Sequence, residues 1–369
     1  MKKIIAFFLL MVLLIPLVSC SSGTKYTPVE STASEKRVVM TLTLGDKSYD
    51  VRYELYRALF LTYRDEVSLG NNDVWVQDGK EAYVDKINTM ILDKVTAIYS
   101  VFAVCEDIGV NLYSASVDRQ VDEYIATSIA GEDGDGTYEE YLVLLNKMYL
   151  NWSVQDLLLR YAIGLEAIDA YYIGDFDAEN IGDSVNVGNL SYTREDIKAY
   201  YNSDECIRIL RAHIQASAHY EPDKYAETVR RRMAEAAPNE KAVATVIINT
   251  GLTAATEVMN GYVIGKYNLD SFYYGDLTKA AFALSPFTVS DPVRVHNGDD
   301  DIIFIIYHAE KSDTHFDRCY TEIAYVYLTD QVGKIITEAA ESLKMGVEYT
   351  DVFSSFDYSA IDMDEEKKD

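Results

Sequence analysis

A chain of 369 residues with 5 histidines and 4 cysteines offers chemistry few places to start. Cys105, Cys206 and Cys319 form no C-x-x-C pair and are odd in number, so neither a disulfide framework nor a zinc site is indicated. Cys105 falls on the apolar face of a helical run and reads as core. Asp133-Gly-Asp-Gly-Thr137 has acidic residues at calcium-loop spacing. Tyr138 stands where such a loop needs glycine, however, and Leu144 where it needs glutamate, so the segment reads as a solvated turn. No metal and no cofactor is expected. What remains is His213, set in the strand-like run Ile207-Arg-Ile-Leu-Arg-Ala-His-Ile214. An imidazole there is either a hydrogen-bonded core histidine or a group with a part in chemistry. His296 and His308 are expected at the surface.

The elements that must position His213 follow in order along the chain. After the strand at 207–214 come a helix over 224–236, a glycine-framed turn at Gly261-Tyr-Val-Ile-Gly265, then Ala280-Ala-Phe-Ala-Leu284, Val289-Ser-Asp-Pro-Val293 and a closing strand over 302–307. Upstream, 38–44 and 49–51 alternate enough to form a hairpin around Gly45-Asp46. Val84, Ile87, Ile91, Val95, Ile98, Phe102 and Cys105 recur at steps of three and four, which lines one face of a long helix. Ser153 with Asp156, and Thr193 with Asp196, have capping-box spacing and mark helix starts near 154 and 194. The first of these helices is apolar on most sides and should be buried. Downstream, Leu328, Val332, Ile335, Ala339 and Leu343 form a further stripe.

The amino terminus and the charge bound the setting. Lys2 and Lys3 precede an apolar run over 4–18, too short and too early for a comfortable membrane span. The run ends in Leu17-Val18-Ser19-Cys20, which resembles the lipobox of bacterial lipoproteins. That resemblance makes 1–19 a signal peptide, Cys20 the lipidated residue and 20–37 a tether. A net charge of −27 would repel phosphate, which argues against nucleic acid or anionic lipid as a partner for the body of the chain. With 49% hydrophobic residues and 30 tyrosines there is ample material for packed cores, and the length favours two or three domains.

The order of elements over 201–311 resembles a parvulin-type peptidyl-prolyl cis/trans isomerase domain. The flanking helical half resembles the chaperone region of the SurA and PrsA family of extracytoplasmic foldases. The second likeness is carried by Asp107-Ile-Gly-Val-Asn111, Ser114-Ala-Ser-Val-Asp118, Tyr138-Glu-Glu-Tyr-Leu142 and Thr193-Arg-Glu-Asp-Ile-Lys-Ala-Tyr-Tyr201. Together they imply an α+β protein: a mainly helical chaperone domain at 38–200, an inserted parvulin-like domain of small antiparallel sheet and flanking helices at 201–311, a helix segment at 312–358 packing back on the first half, and an acidic tail at 359–369.

In parvulins two histidines face each other at the sheet centre, and a methionine and a phenylalanine line the pocket for the proline ring. The resemblance puts His213 in the place of the first histidine and Phe304, within Ile302-Ile-Phe-Ile-Ile306, in the place of the second. Tyr273 and Leu277 fall at the pocket positions and, with Phe282, could wall a proline ring; ordinary core packing is the alternative for these three. The implied function is a membrane-anchored extracytoplasmic foldase that binds unfolded or translocating polypeptides. His213 is its catalytic residue, and Tyr273, Leu277, Phe282 and Phe304 are its substrate-binding residues. The rival is a holdase that uses the same groove and the helical cradle without catalysis. A solute-binding lipoprotein would need two doubly wound α/β lobes, and the strand-helix alternation they require is missing from the first 200 residues.

Overall fold

In the computed structural model, described for residues 36–77, 79–130, 136–174, 176, 184–250, 255–267, 271–297, 300–356 and 358, the chain is mainly helical with small antiparallel sheets. The expected leader, Cys20, the tether as far as residue 35, residues 133–135 of the turn and the acidic tail lie outside the described residues. Two compact units form: one takes the chain up to Ile168 and again from Ile336, the other spans Asp169–Ile335.

The first unit opens with β1 (Val38–Leu44) and β2 (Lys47–Arg52), paired antiparallel across the turn at Gly45, whose φ of 63° suits a residue without Cβ. Val39, Leu42 and Val51 are fully buried. The helices α1 (Tyr53–Ser68), α2 (Glu81–Asp107), α3 (Ala115–Ala130), α4 (Tyr138–Lys147) and α5 (Trp152–Tyr172) follow. In α2 the predicted stripe is the buried face: Ile87, Ile91, Val95, Ile98 and Cys105 are wholly inaccessible and Phe102 nearly so. Val84, in the first turn, is half-buried.

The start of α5 corrects the capping expectation. Asn151, not Ser153, caps the helix, its Oδ1 accepting from Val154 N at 2.9 Å. Ser153 Oγ instead donates to Glu54 Oε1 at 2.7 Å, and Asn151 Nδ2 to Glu54 Oε2 at 2.9 Å. The carboxylate of Glu54 is buried, and satisfying it takes precedence over a second cap. Where α5 crosses α2, Gly164 lets the two helices touch: a Cβ there would lie 2.6 Å from Val101 Cγ1 and 3.3 Å from Cys105 Sγ. Gly164→Ala is expected to cost about 1–3 kcal/mol through overpacking, against the modest gain in helix propensity that alanine brings at an open site. Thermal unfolding checks this, and an unchanged or raised midpoint would contradict it.

The second unit begins with the hairpin β3 (Ser184–Val187) and β4 (Leu190–Thr193) and the helix α6 (Arg194–Asn202). Here the predicted capping box is present: Thr193 accepts from the Asp196 backbone and Asp196 from that of Thr193. The rest of the unit is built on β5 (Cys206–Gln215), α7 (Pro222–Ala236), α8 (Glu240–Ile248), α9 (Ala255–Asn260), β6 (Tyr262–Gly265), α10 (Ser271–Phe282), β7 (Val293–Asn297) and β8 (Asp300–Ala309). The strands form one antiparallel sheet of order β6-β5-β8-β7.

The sheet carries apolar side chains on both faces. Leu210, Ala212, Ile214, Ile303, Ile305 and Tyr307 pack with α7, α8 and α9; Ile207, Ile209, Ile302, Phe304 and Ile306 pack with Leu277 and Ala281 of α10. The segment read as a glycine-framed turn is the edge strand β6. Tyr262, Val263 and Ile264 are strand formers, and Gly261 (φ 73°) admits them because a Cβ there would meet Ile209 O at 2.8 Å.

Two short helical pieces and a long one complete the chain: α11 (Asp313–Arg318), α12 (Tyr320–Met345) and, after β9 (Val347–Tyr349), α13 (Asp351–Ser354). In α12 the stripe positions Leu328, Val332 and Leu343 are buried, as are Ile323, Ala324, Asp330 and Ile336; Ile335 and Ala339, expected in the stripe, are half-buried. The strand β9 adds to the first unit's sheet as the neighbour of β1, with Met40 opposite Tyr349 and Leu42 opposite Val347.

Candidate functional site

The alternation of β5 decides what His213 faces. Residues 207, 209, 211 and 213 share the sheet face that α10 covers, and the pairing of β5 with β8 sets His213 directly opposite Phe304, ring centroids 5.4 Å apart. Phe304 is also opposite Val293 of β7, so it sits at the middle of three strands. At the end of the β7–β8 ladder Asn297 pairs with Asp300.

Arg211 lies on the same face two residues before His213. Its guanidinium carbon is 4.1 Å from the centre of the Tyr262 ring and 5.2 Å from that of Phe304, a cation seated on aromatic faces. Among the described residues it forms no ion pair. Burial first, and then the Arg211 charge, push the His213 pKa down, so this half-buried imidazole is neutral at pH 7.

The structure brings four of the five expected residues to one face and separates their exposures. Leu277 and Phe304 are each 1% exposed and belong to the packed core between the sheet and α10. Phe282 is half-buried at the end of the same helix. Tyr273 falls on α10, but its side chain is not among those described, and Cys20, expected to carry lipid, lies outside the described residues. The two histidines expected at the surface part company. His308 is half-buried, paired with Ile209 four residues from the position opposite His213, and its Nδ1 is held by Leu284 O at 2.9 Å. It is a structural tie between β8 and the segment after α10 rather than a surface residue, and it stands too far along the strand to replace a donor at position 304. His296 lies on β7 opposite Asp301.

Sequence reasoning did not single out Arg211. The signal that could have found it was its spacing of two from His213 on a strand.

No family model matches the chain, and no curated protein matches it. Among solved structures, the foldase protein PrsA from Streptococcus pneumoniae str. Canada MDR_19A is matched over 82% of this chain and 93% of its own at 14% identity, with a TM-score of 0.23. PrsA from Bacillus subtilis is matched over 84% and 93% at 17% identity, again with a TM-score of 0.23. Superpositions at this level do not establish a shared fold, and the function below rests on the geometry of this chain.

Proposed function

We propose that this protein is an extracytoplasmic chaperone for exported polypeptides, anchored through Cys20, whose second unit keeps the layout of a parvulin-type isomerase domain but holds clients rather than isomerising them. The observation that supports this reading is the juxtaposition of His213 and Phe304 on the face covered by α10. Rotation about an X-Pro bond crosses a barrier of about 20 kcal/mol, because the twisted amide has lost its resonance. A catalyst must seat the ring in an open apolar slot and aim donors at the twisted form. At the central pair one donor has become a phenyl ring, and two of the four side chains expected to wall the slot, Leu277 and Phe304, are buried in the core between the sheet and α10. What remains on the face is a neutral imidazole, a guanidinium and aromatic surface, a set suited to binding.

A second reading, isomerisation by His213, is favoured by the half-buried, uncharged state of that ring beside Arg211. Two assays on the full chain separate them. Suppression of aggregation of an unfolded client at stoichiometric amounts, with the proline-limited phase of refolding unchanged, is the expected result. Acceleration of that phase, lost in His213→Ala, would establish the isomerase. Absence of suppression at excess would remove the chaperone reading.

A further inference from the structure

The first unit holds a cleft of about 460 Å³ between the hairpin β1-β2, α2 and the start of α5, within the size range of ligand sites. Its wall is a run of four aromatic rings in contact. Tyr49 and Tyr99 have centroids 5.4 Å apart, Tyr99 and Phe102 5.8 Å, and Phe102 and Tyr113 6.0 Å. The rings are pinned: Tyr49 OH donates to Glu106 Oε2 at 3.1 Å, and Tyr99 OH to Asp50 O at 3.1 Å. Tyr113 stacks against the Arg160 guanidinium and is 62% exposed, so its ring forms the rim. The charged lining is Asp50, Glu54, Glu106 and Asp156 against Arg52 alone. Asp156 is taken up by Arg160, and Glu54 by Ser153 and Asn151, whereas Asp50 and Glu106 stand at the exposed margin: Asp50 accepts from Thr41 Oγ1 at 3.0 Å, and Lys47, whose closer partner is Asp107 at 2.6 Å, lies 3.9 Å from Glu106. A smaller hollow of about 270 Å³ adjoins it, sharing Phe102, Glu106 and Tyr113 and adding Val110 and Leu112.

We infer that this cleft docks a cationic side chain of an unfolded client, with an adjacent apolar side chain in the smaller hollow. Ring faces and carboxylates both attract cations; Arg160 already sits on the Tyr113 ring, and of the two exposed carboxylates Glu106 has its cation, Lys47, only at 3.9 Å, a separation an incoming cation can improve on. The net charge of −27 draws basic segments from a distance, and an anionic segment would meet repulsion on both scales. The assignment of the ligand to client polypeptide rests on the chaperone reading; the preference for a cation does not.

The test is fluorescence anisotropy of the full chain with two labelled, unstructured Gly/Ser peptides that differ only in a central Arg-Leu-Arg or Glu-Leu-Glu. The basic peptide should bind at least about tenfold tighter, a difference of about 1.4 kcal/mol. Tyr113→Ala and Glu106→Gln should each reduce that ratio at least about threefold, while Glu123→Gln, the same charge change on the exposed face of α3, should leave it in place. Equal binding of the two peptides, or equal effects of Glu106→Gln and Glu123→Gln, would overturn the cleft as the cation site. Preserved aggregation suppression alongside either result would show that the chaperone reading survives without it. Selective peptide binding without suppression would show the reverse.

Discussion

Arg208→Ala is expected to destabilise this chain by about 2–4 kcal/mol, since it removes a buried cation that also serves two carbonyls, while its carboxylate partner Glu240, 35% exposed, can recover some hydration. Arg208 is 4% exposed on β5, and its guanidinium grips Glu240 with two bonds of 2.9 and 2.8 Å. It also donates to Glu310 O at 2.8 Å and Asn260 O at 3.2 Å. One side chain therefore ties the central strand to the first residue of α8, the last of α9 and the chain leaving β8. Alanine would leave these two carbonyls without their side-chain donor as well as the Glu240 carboxylate without its cation. The comparison that isolates burial is Arg230, which makes a similar fork to Glu227 with two bonds of 2.6 Å on the surface of α7. Arg230→Ala should cost less than about 1 kcal/mol, since an exposed pair is screened by water and salt. Urea unfolding of the two variants decides it: equal losses would mean that the five bonds of Arg208 do not act as a tie.

The second large effect concerns pH. Asp330 on α12 is wholly buried, and burial raises its carboxyl pKa from 3.8 to about 6. The backbone N–H of Tyr267, which donates to Oδ1, the Tyr200 hydroxyl against the carboxyl, and Lys334 pull the other way, while Glu205 adds to the rise. The folded state thus holds this proton more tightly than the unfolded chain does. The contribution of Asp330 to stability is complete below pH 4, declines as pH rises through 6, and is absent at pH 7.5. A difference of about two pK units corresponds to about 3 kcal/mol. Asp330→Asn keeps an acceptor for Tyr267 but cannot ionise. It should raise the unfolding midpoint at pH 7.5 and flatten the stability profile between pH 4 and 6.5. Parallel profiles for the two proteins would show that Asp330 is not the group responsible.

How much of this was legible in the sequence depended on how local each determinant is. The stripe of α2, the β1-β2 hairpin and the Thr193 cap were readable because period, turn glycine and cap each involve residues within a few positions. The Ser153 cap failed because its hydroxyl is claimed by Glu54, about a hundred residues earlier in the chain. Likewise β6 was hidden in five residues framed by glycines, too short for alternation to speak, and became a strand only because Cys206–Ile209 offered it a partner. At the candidate site, the spacing of strand residues could put His213 and Phe304 on strands, but not fix how deeply they lie.

The amino-acid sequence by itself determined the alternation of a helical half with a strand-bearing middle, the faces of the long helices, and the acidity that shapes which ligands can approach. Those follow from periodicity and from charge, which need no knowledge of neighbours. The tertiary structure alone decided that Leu277 and Phe304 are buried on the face His213 shares, that Arg211 rests on two rings there, and that four aromatic residues from the hairpin, α2 and the segment after it line one cleft. Each of these depends on which distant surfaces meet, and burial, contact and pKa are properties of the meeting rather than of the residues.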